Sequence, residues 1–248
     1  MAGLYIHVPF CAKRCLYCDF FSNTEMKYKE PYINALIKEM ELRKGYIGNE
    51  ALETIYFGGG TPSQLDEKDF GKIFEAIYRL FDVAEQAEIT LEANPDDMKR
   101  EYVSLLRNYP FNRVSMGVQS FHPEDLRFLN RRHDREQAIK AVELCKEYGI
   151  TNISIDLIYG LPNQTKQAWG REFATSDPAG CSPSFRLPPH LRRRYRTLQI
   201  NGSGKSNSRR RGVKRLVLFH INRPVGRSRL FALRDLQFRP SRILLQAQ

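Results

Sequence analysis

Strand and helix patterns alternate along the first two-thirds of this chain, and that rhythm most limits what it can fold into. Short apolar or alternating runs at 4–8, 54–57, 88–92, 113–117 and 153–157 read as strands. Between and around them, 28–44, 66–81, 99–107, 123–130 and 135–148 carry apolar residues at helical spacing, and Gly149 is a plausible stop for the last of these helices. A strand followed by a helix, repeated every 30–40 residues or so, calls for parallel strands joined by crossover helices. A (β/α) barrel, open or closed, and a doubly wound sheet both satisfy that pattern.

The rhythm stops near Trp169, and the charge changes with it. Residues 1–164 hold 20 Lys+Arg against 25 Asp+Glu, whereas residues 165–248 hold 19 against 3. The chain's net charge of +11 therefore comes entirely from its last third, with triplets at Arg192–Arg194 and Arg209–Arg211. A basic tail of this kind reads at first as a disordered nucleic-acid binder. No apolar run approaches the ~18 residues of a membrane-spanning helix. The N-terminus lacks the basic, apolar and small-residue zones of a signal peptide, so a cytoplasmic protein is expected.

Three of the five cysteines fall within eight residues: Cys11, Cys15 and Cys18 form a C-x3-C-x2-C run just after the first strand. Crowded thiols without an export signal suggest a metal site rather than a disulfide framework. Three thiolates on one loop can hold three irons of a [4Fe-4S] cluster and leave the fourth iron for another ligand. A structural zinc site fits less well, because it takes four protein ligands and no second Cys/His pair stands at zinc spacing. His7 is the nearest histidine, and as a strand residue it is expected to point away along the pleat.

With its aromatic at Tyr17, the cysteine run resembles the signature of the radical S-adenosylmethionine (SAM) superfamily. Gly58-Gly59-Gly60-Thr61-Pro62, one strand–helix unit later, is similar to that family's GGGTP element. The resemblance implies that the amino and carboxylate groups of SAM chelate the open iron, and that one-electron reduction cleaves SAM to methionine and a 5′-deoxyadenosyl radical. It places Gly59, Gly60 and Thr61 against the SAM amino group, and glycine suits a place where backbone must approach a ligand closely.

Further matches lie at the carboxyl ends of expected strands, where (β/α) barrels place their sites. Tyr5, Glu92, Gln119, Arg131 and Asp156, in that order, resemble the SAM-contacting residues of the oxygen-independent coproporphyrinogen III oxidase family. Taken singly, Glu92 and Asp156 could be helix caps, Gln119 a loop amide and Arg131 a solvated charge. The decarboxylating enzymes carry a fourth cysteine two positions after the third, and here Phe20 stands there. That resembles the heme-chaperone branch, HemW. The implied partners are SAM, heme or a porphyrinogen, and heme-accepting proteins of porphyrin and heme metabolism.

The family continues with more barrel and a further domain, and a changed reading frame accounts for their absence. With codons chosen by degeneracy and the frame moved by one base, Phe185–Leu191 reads SAYHLIY and Arg192–Leu198 reads EEGTALY. The same frame turns Ala232–Arg239 into HYEISNFA and Gln246–Gln248 into RHN. These strings resemble heme-chaperone segments in the right order. The expectation is therefore a partial, TIM-like (β/α) barrel of five strand–helix units over 1–169, with 170–248 a disordered, out-of-frame tail. On that reading the strand at 153–157 is an uncovered edge, and the tail's charge implies no specific nucleic-acid partner.

Overall fold

Along the strands, apolar side chains alternate with polar ones, and the two sets face opposite sides of one sheet. In the computed structural model, which describes residues 2–15, 18, 21–162, 164–176 and 182–186, the strands are β1 (Ala2–Val8), β2 (Leu52–Gly59), β3 (Val83–Ala93), β4 (Arg113–Gln119), β5 (Asn152–Ile158) and β6 (Ser182–Arg186). All pairings are parallel and the order is β1-β2-β3-β4-β5-β6. Strands laid down strictly in sequence, with no reversal of order, are the winding of a (β/α) barrel. A doubly wound sheet would reverse at a switch point. The sheet is an open, partial barrel with β1 and β6 as its edges among the described residues.

The apolar set faces the helices α1 (Lys29–Arg43), α2 (Glu67–Leu80), α3 (Arg100–Leu106) and α5 (Arg135–Glu147). Ile55, Phe57, Leu91, Val114, Met116, Ile153 and Leu157 form one core with Ile33, Phe70, Ile73, Phe74, Ile77, Val103 and Ala141. Phe57 is fully buried, with Phe70, Phe74 and Phe111 rings 5.3–5.9 Å away. Helices α2 and α5 start on reciprocal capping boxes, Asp66 with Asp69 and Asp134 with Gln137. Helix α5 ends where Gly149 takes φ +82°.

The polar set lines the inner face. Tyr5 stacks on Tyr56, and Arg113 donates to Thr90 and to Ser154, which donates to Ser115. Strands covered on both faces by apolar layers read as continuous apolar runs, whereas these alternate because one face looks into a polar interior. His7 belongs to that face. Its Nδ1 lies 3.2 Å from the Tyr5 hydroxyl, and its ring is where a side chain on Gly59 would stand. The expectation that it points away is thus corrected: with period two, His7 follows Tyr5 inward.

The rhythm also runs past Trp169. Helix α6 (Lys166–Ser176) carries Trp169, which packs partly buried against the core, and β6 pairs with β5 from Ser154–Ser182 to Ile158–Arg186. The strand expected to be an open edge is therefore covered, and the sheet has six strands rather than five. Tyr17 and Phe20, and the tail beyond Arg186 where the frame argument mostly lies, fall outside the described residues. No helix among the described residues is long and apolar enough to cross a membrane.

Because Phe57 fills the centre of the aromatic cluster, Phe57→Ala should lower the unfolding free energy in urea by about 3–5 kcal/mol. Leu42→Ala, at a residue 74% exposed, should change it by no more than about 0.5 kcal/mol.

Candidate functional site

Parallel register brings the carboxyl ends of β1, β2 and β3 to one level, with Val8 paired to Gly59 and Phe57 to Leu91, while β4 runs three residues beyond the Ala93–Met116 pair to Gln119, which pairs with Leu157. The residues expected to act gather at that end. Gly60 closes the gap between β1 and β2 by donating its amide to Val8 O at 2.7 Å. A Cβ there would stand 2.9 Å from Val8 O and Phe10 O and 3.0 Å from Cys11 Sγ, so only glycine fits. Thr61, next along and buried, donates to Cys11 Sγ at 3.2 Å. Glycine is thus needed here for the close approach of the chain to its own cysteine loop.

Glu92, at the end of β3, accepts from the Tyr56 hydroxyl at 2.7 Å and from Gly59 N at 3.2 Å. It is no helix cap; it ties β3 to the glycine turn. Asp156 is buried on β5, and Tyr56 lies in the field of both carboxylates. Burial first, and then the Glu92 charge, push the Tyr56 hydroxyl well above its ordinary range, so it stays a donor.

Arg131, on the turn after α4 (Pro123–Phe128), links the cysteine loop to the strands. Its Nη1 donates to Cys15 Sγ at 3.3 Å, and its Nη2 donates to Asn94 Oδ1 and Gly117 O, both at 2.6 Å. It is not a solvated charge. Gln119 closes β4 in the left-handed region, φ +72°, and is buried with a side-chain carbonyl that has no hydrogen-bond partner among the described residues. A buried amide oxygen left without a donor is rare.

Cys11, Cys15 and Cys18 are thiols on the loop after β1, and the Cys18 amide donates to Cys15 O at 3.3 Å. Cys11 meets Thr61, and Cys15 meets Arg131. Among the described residues, no three His, Cys, Asp or Glu side chains converge closely enough to hold a metal ion. The loop thus brings the thiols to one end of the sheet without drawing them into a finished cage. Metal sites of this kind commonly complete their geometry as the metal binds. The donor set, the glycine cradle under Cys11 and the unpartnered Gln119 carbonyl fit an iron–sulfur cluster with a polar small molecule beside it.

Several contributors were not singled out from the sequence. Asn94 joins Arg131 to Thr61, donating to the Thr61 hydroxyl at 3.4 Å, and Tyr56 positions Glu92. Asn130, at φ +58°, holds the cysteine loop by donating to Arg14 O at 3.1 Å. Asn94 stands two residues after Glu92, and Asn130 sits directly before Arg131, so proximity to a site residue was the available signal. His133 is buried, hydrogen-bonds to Val118 O at 3.0 Å, and is held neutral because burial and then Arg131 push its pKa down to about 3.

Gly60→Ala tests the cradle. The added methyl should displace the cysteine loop, so the variant should lose most of its reconstituted iron while keeping its far-UV circular dichroism. Iron content equal to that of the parent chain would refute the close-approach account.

The sequence model of the radical SAM superfamily matches residues 5–171. The heme chaperone HemW of Bacillus subtilis (strain 168) is 39% identical over 169 residues, which cover 66% of this chain and 44% of that protein. The oxygen-independent coproporphyrinogen III oxidase of Escherichia coli (strain K12) is 34% identical over 169 residues, covering 67% and 37%. Among solved structures, coproporphyrinogen III oxidase (HemN) from Escherichia coli, a radical SAM enzyme, superposes with a TM-score of 0.70 at 30% identity, over 79% of this chain and 46% of that one. The chain spans less than half the length of these relatives. With the family's sequence model matching two-thirds of it, the chain belongs to the radical SAM superfamily, a membership that implies a [4Fe-4S] cluster and S-adenosylmethionine.

Proposed function

We propose that Cys11, Cys15 and Cys18 hold a [4Fe-4S] cluster, that SAM binds at the polar end of the sheet beside it, and that the complete protein binds heme for delivery to heme proteins. The observation that carries the site is the buried Gln119 carbonyl, without a donor among the described residues, on the strand whose Gly117 is gripped by the same guanidinium that reaches Cys15. When bound, a reduced cluster of this type supplies one electron to SAM. The chain's own residues do the rest of the positioning. Arg131 places positive charge beside the Cys15 sulfur and is set to pair with a carboxylate. Gly59, Gly60 and Thr61 offer backbone and hydroxyl groups to an amine, and Glu92 and Asp156 supply negative charge facing a cationic ligand. Tyr5 and Tyr56 stack as an aromatic wall, and Tyr17 is assigned to the same site from its place in the cysteine run.

The heme reading rests on the likeness to heme chaperones named HemW and on Phe20 at the position where decarboxylating relatives carry a fourth cysteine. The reading of the tail as out of frame is supported by the family match ending at residue 171 and by the switch to Arg-rich sequence. The change of frame is proposed near Trp169, where the family match and the strand–helix pattern of the sequence give way to Arg-rich sequence.

Anaerobic reconstitution should give about four irons per chain, lost in any single Cys→Ala variant, and SAM should perturb the EPR signal of the reduced cluster. Unchanged iron in the triple Ala variant would overturn the cluster assignment, and an EPR signal indifferent to SAM would overturn the SAM site. Moving the reading frame by one base near the Trp169 codon should yield a longer protein that binds heme and leaves coproporphyrinogen III unchanged. Decarboxylation of coproporphyrinogen III without heme binding would favour the oxidase reading instead.

A further inference from the structure

The end of β4 is clamped by a carboxyl group that the cofactor site does not use. Glu172, on α6, is 5% exposed. Its Oε2 accepts from Phe121 N at 2.7 Å, and its Oε1 lies 2.8 Å from Ser120 Oγ. Ser120 Oγ also lies 3.0 Å from Asp125 Oδ2, and it accepts from His122 N at 3.0 Å. Ser120 and Phe121 directly follow Gln119, the left-handed residue whose carbonyl lacks a partner. On the preceding side, His133 holds Val118 O.

Counting protons decides the state of this set. A serine hydroxyl carries one hydrogen, and here two carboxyl oxygens lie within hydrogen-bond distance of it. If both carboxyl groups are ionised, one of the two short O···O contacts has no hydrogen in it and sets lone pair against lone pair. With one further proton every contact is filled: the acid O–H donates to Ser120 Oγ, the Ser120 O–H donates to Asp125, and the His122 amide completes the serine's accepting capacity. Asp125 is the more exposed of the two and lies in the first turn of α4, where negative charge is favoured. Glu172 is the group that stays neutral.

We propose that Glu172 is a positioning residue that carries the shared proton of a Glu172–Ser120–Asp125 set and thereby fixes the β4–α4 loop, so that Gln119 faces SAM. The proposal rests on the SAM site proposed above. Burial, its largest cause, raises the Glu172 carboxyl above the usual carboxylate range, with Asp125 adding to the rise. The Phe121 amide, Ser120 and His122 oppose it. An acid raised on folding contributes stability that is full below its unfolded pKa and lost as pH rises through the folded one. Deprotonation should therefore loosen the loop, and SAM binding should weaken toward alkaline pH.

The test uses the full 248-residue chain, reconstituted anaerobically. Its SAM affinity is titrated by the EPR change across pH for the parent, Glu172→Gln and Glu172→Ala. The glutamine amide can donate to Ser120 and accept from Phe121 as the neutral acid does, so Glu172→Gln should keep SAM affinity and flatten its fall at high pH. Glu172→Ala should weaken SAM about tenfold with iron content unchanged. Glutamine as damaging as alanine, or an unchanged pH profile in Glu172→Gln, would overturn the proposal. Infrared difference spectra between the parent and Glu172→Gln at neutral pH separate the two claims. A protonated carboxyl stretch that disappears in the variant supports the proton assignment even if the parent binds no SAM, in which case the SAM site is what fails. Absence of that band overturns the assignment itself.

Discussion

The hydrogen bond from Gly60 N to Val8 O, 2.7 Å long, sets where everything else in the site can be. It locks the ends of the first two strands together at the point where one chain segment turns into the cysteine loop and the other into the glycine turn. Cys11 is thereby placed under Gly60 and beside Thr61, with no room for a side chain between them. The strands all run parallel, so Glu92, Gln119 and Asp156, though far apart in sequence, lie toward the same end of the sheet. The site follows from strand pairing more than from any loop's own conformation.

A second consequence is the polar inner face. Helices need an apolar partner, and each strand offers them one face only. The other face holds Tyr5, Tyr56, Thr90, Glu92, Ser115, Ser154 and Asp156, which bond laterally to one another and leave room for a ligand at one end. A sealed, apolar interior would stabilise the sheet further, but it could not seat charged groups without partners. The sheet is thus stabilised from its helical side, and the inner side is left for chemistry.

Much of this is legible in the sequence. The five strands within 1–158 were read close to their true positions because apolar periodicity depends on local sequence alone. The cysteine run and the glycine element were legible because few chemistries require those residues at that spacing. What escaped reading depended on three-dimensional neighbours. His7 was assigned to the wrong face because one strand alone does not say which side its sheet buries. Asn94 and Glu172 were passed over because their partners lie 31–52 residues away. Strand β6 was missed because Ser182–Arg186 shows neither period, and its place comes from pairing with β5. Helix α6 straddles the point where composition changes, and its buried Glu172 shows that the packed unit runs beyond Trp169.

The central claim is that one end of this sheet assembles a cluster with a position open to SAM. Electron–nuclear double resonance on the reduced, reconstituted chain with SAM labelled at its amino nitrogen and carboxylate oxygen tests it most directly. The account predicts hyperfine couplings from both labels to the cluster, abolished in Cys15→Ala. A fully formed four-iron cluster that shows no coupling to either label would contradict it.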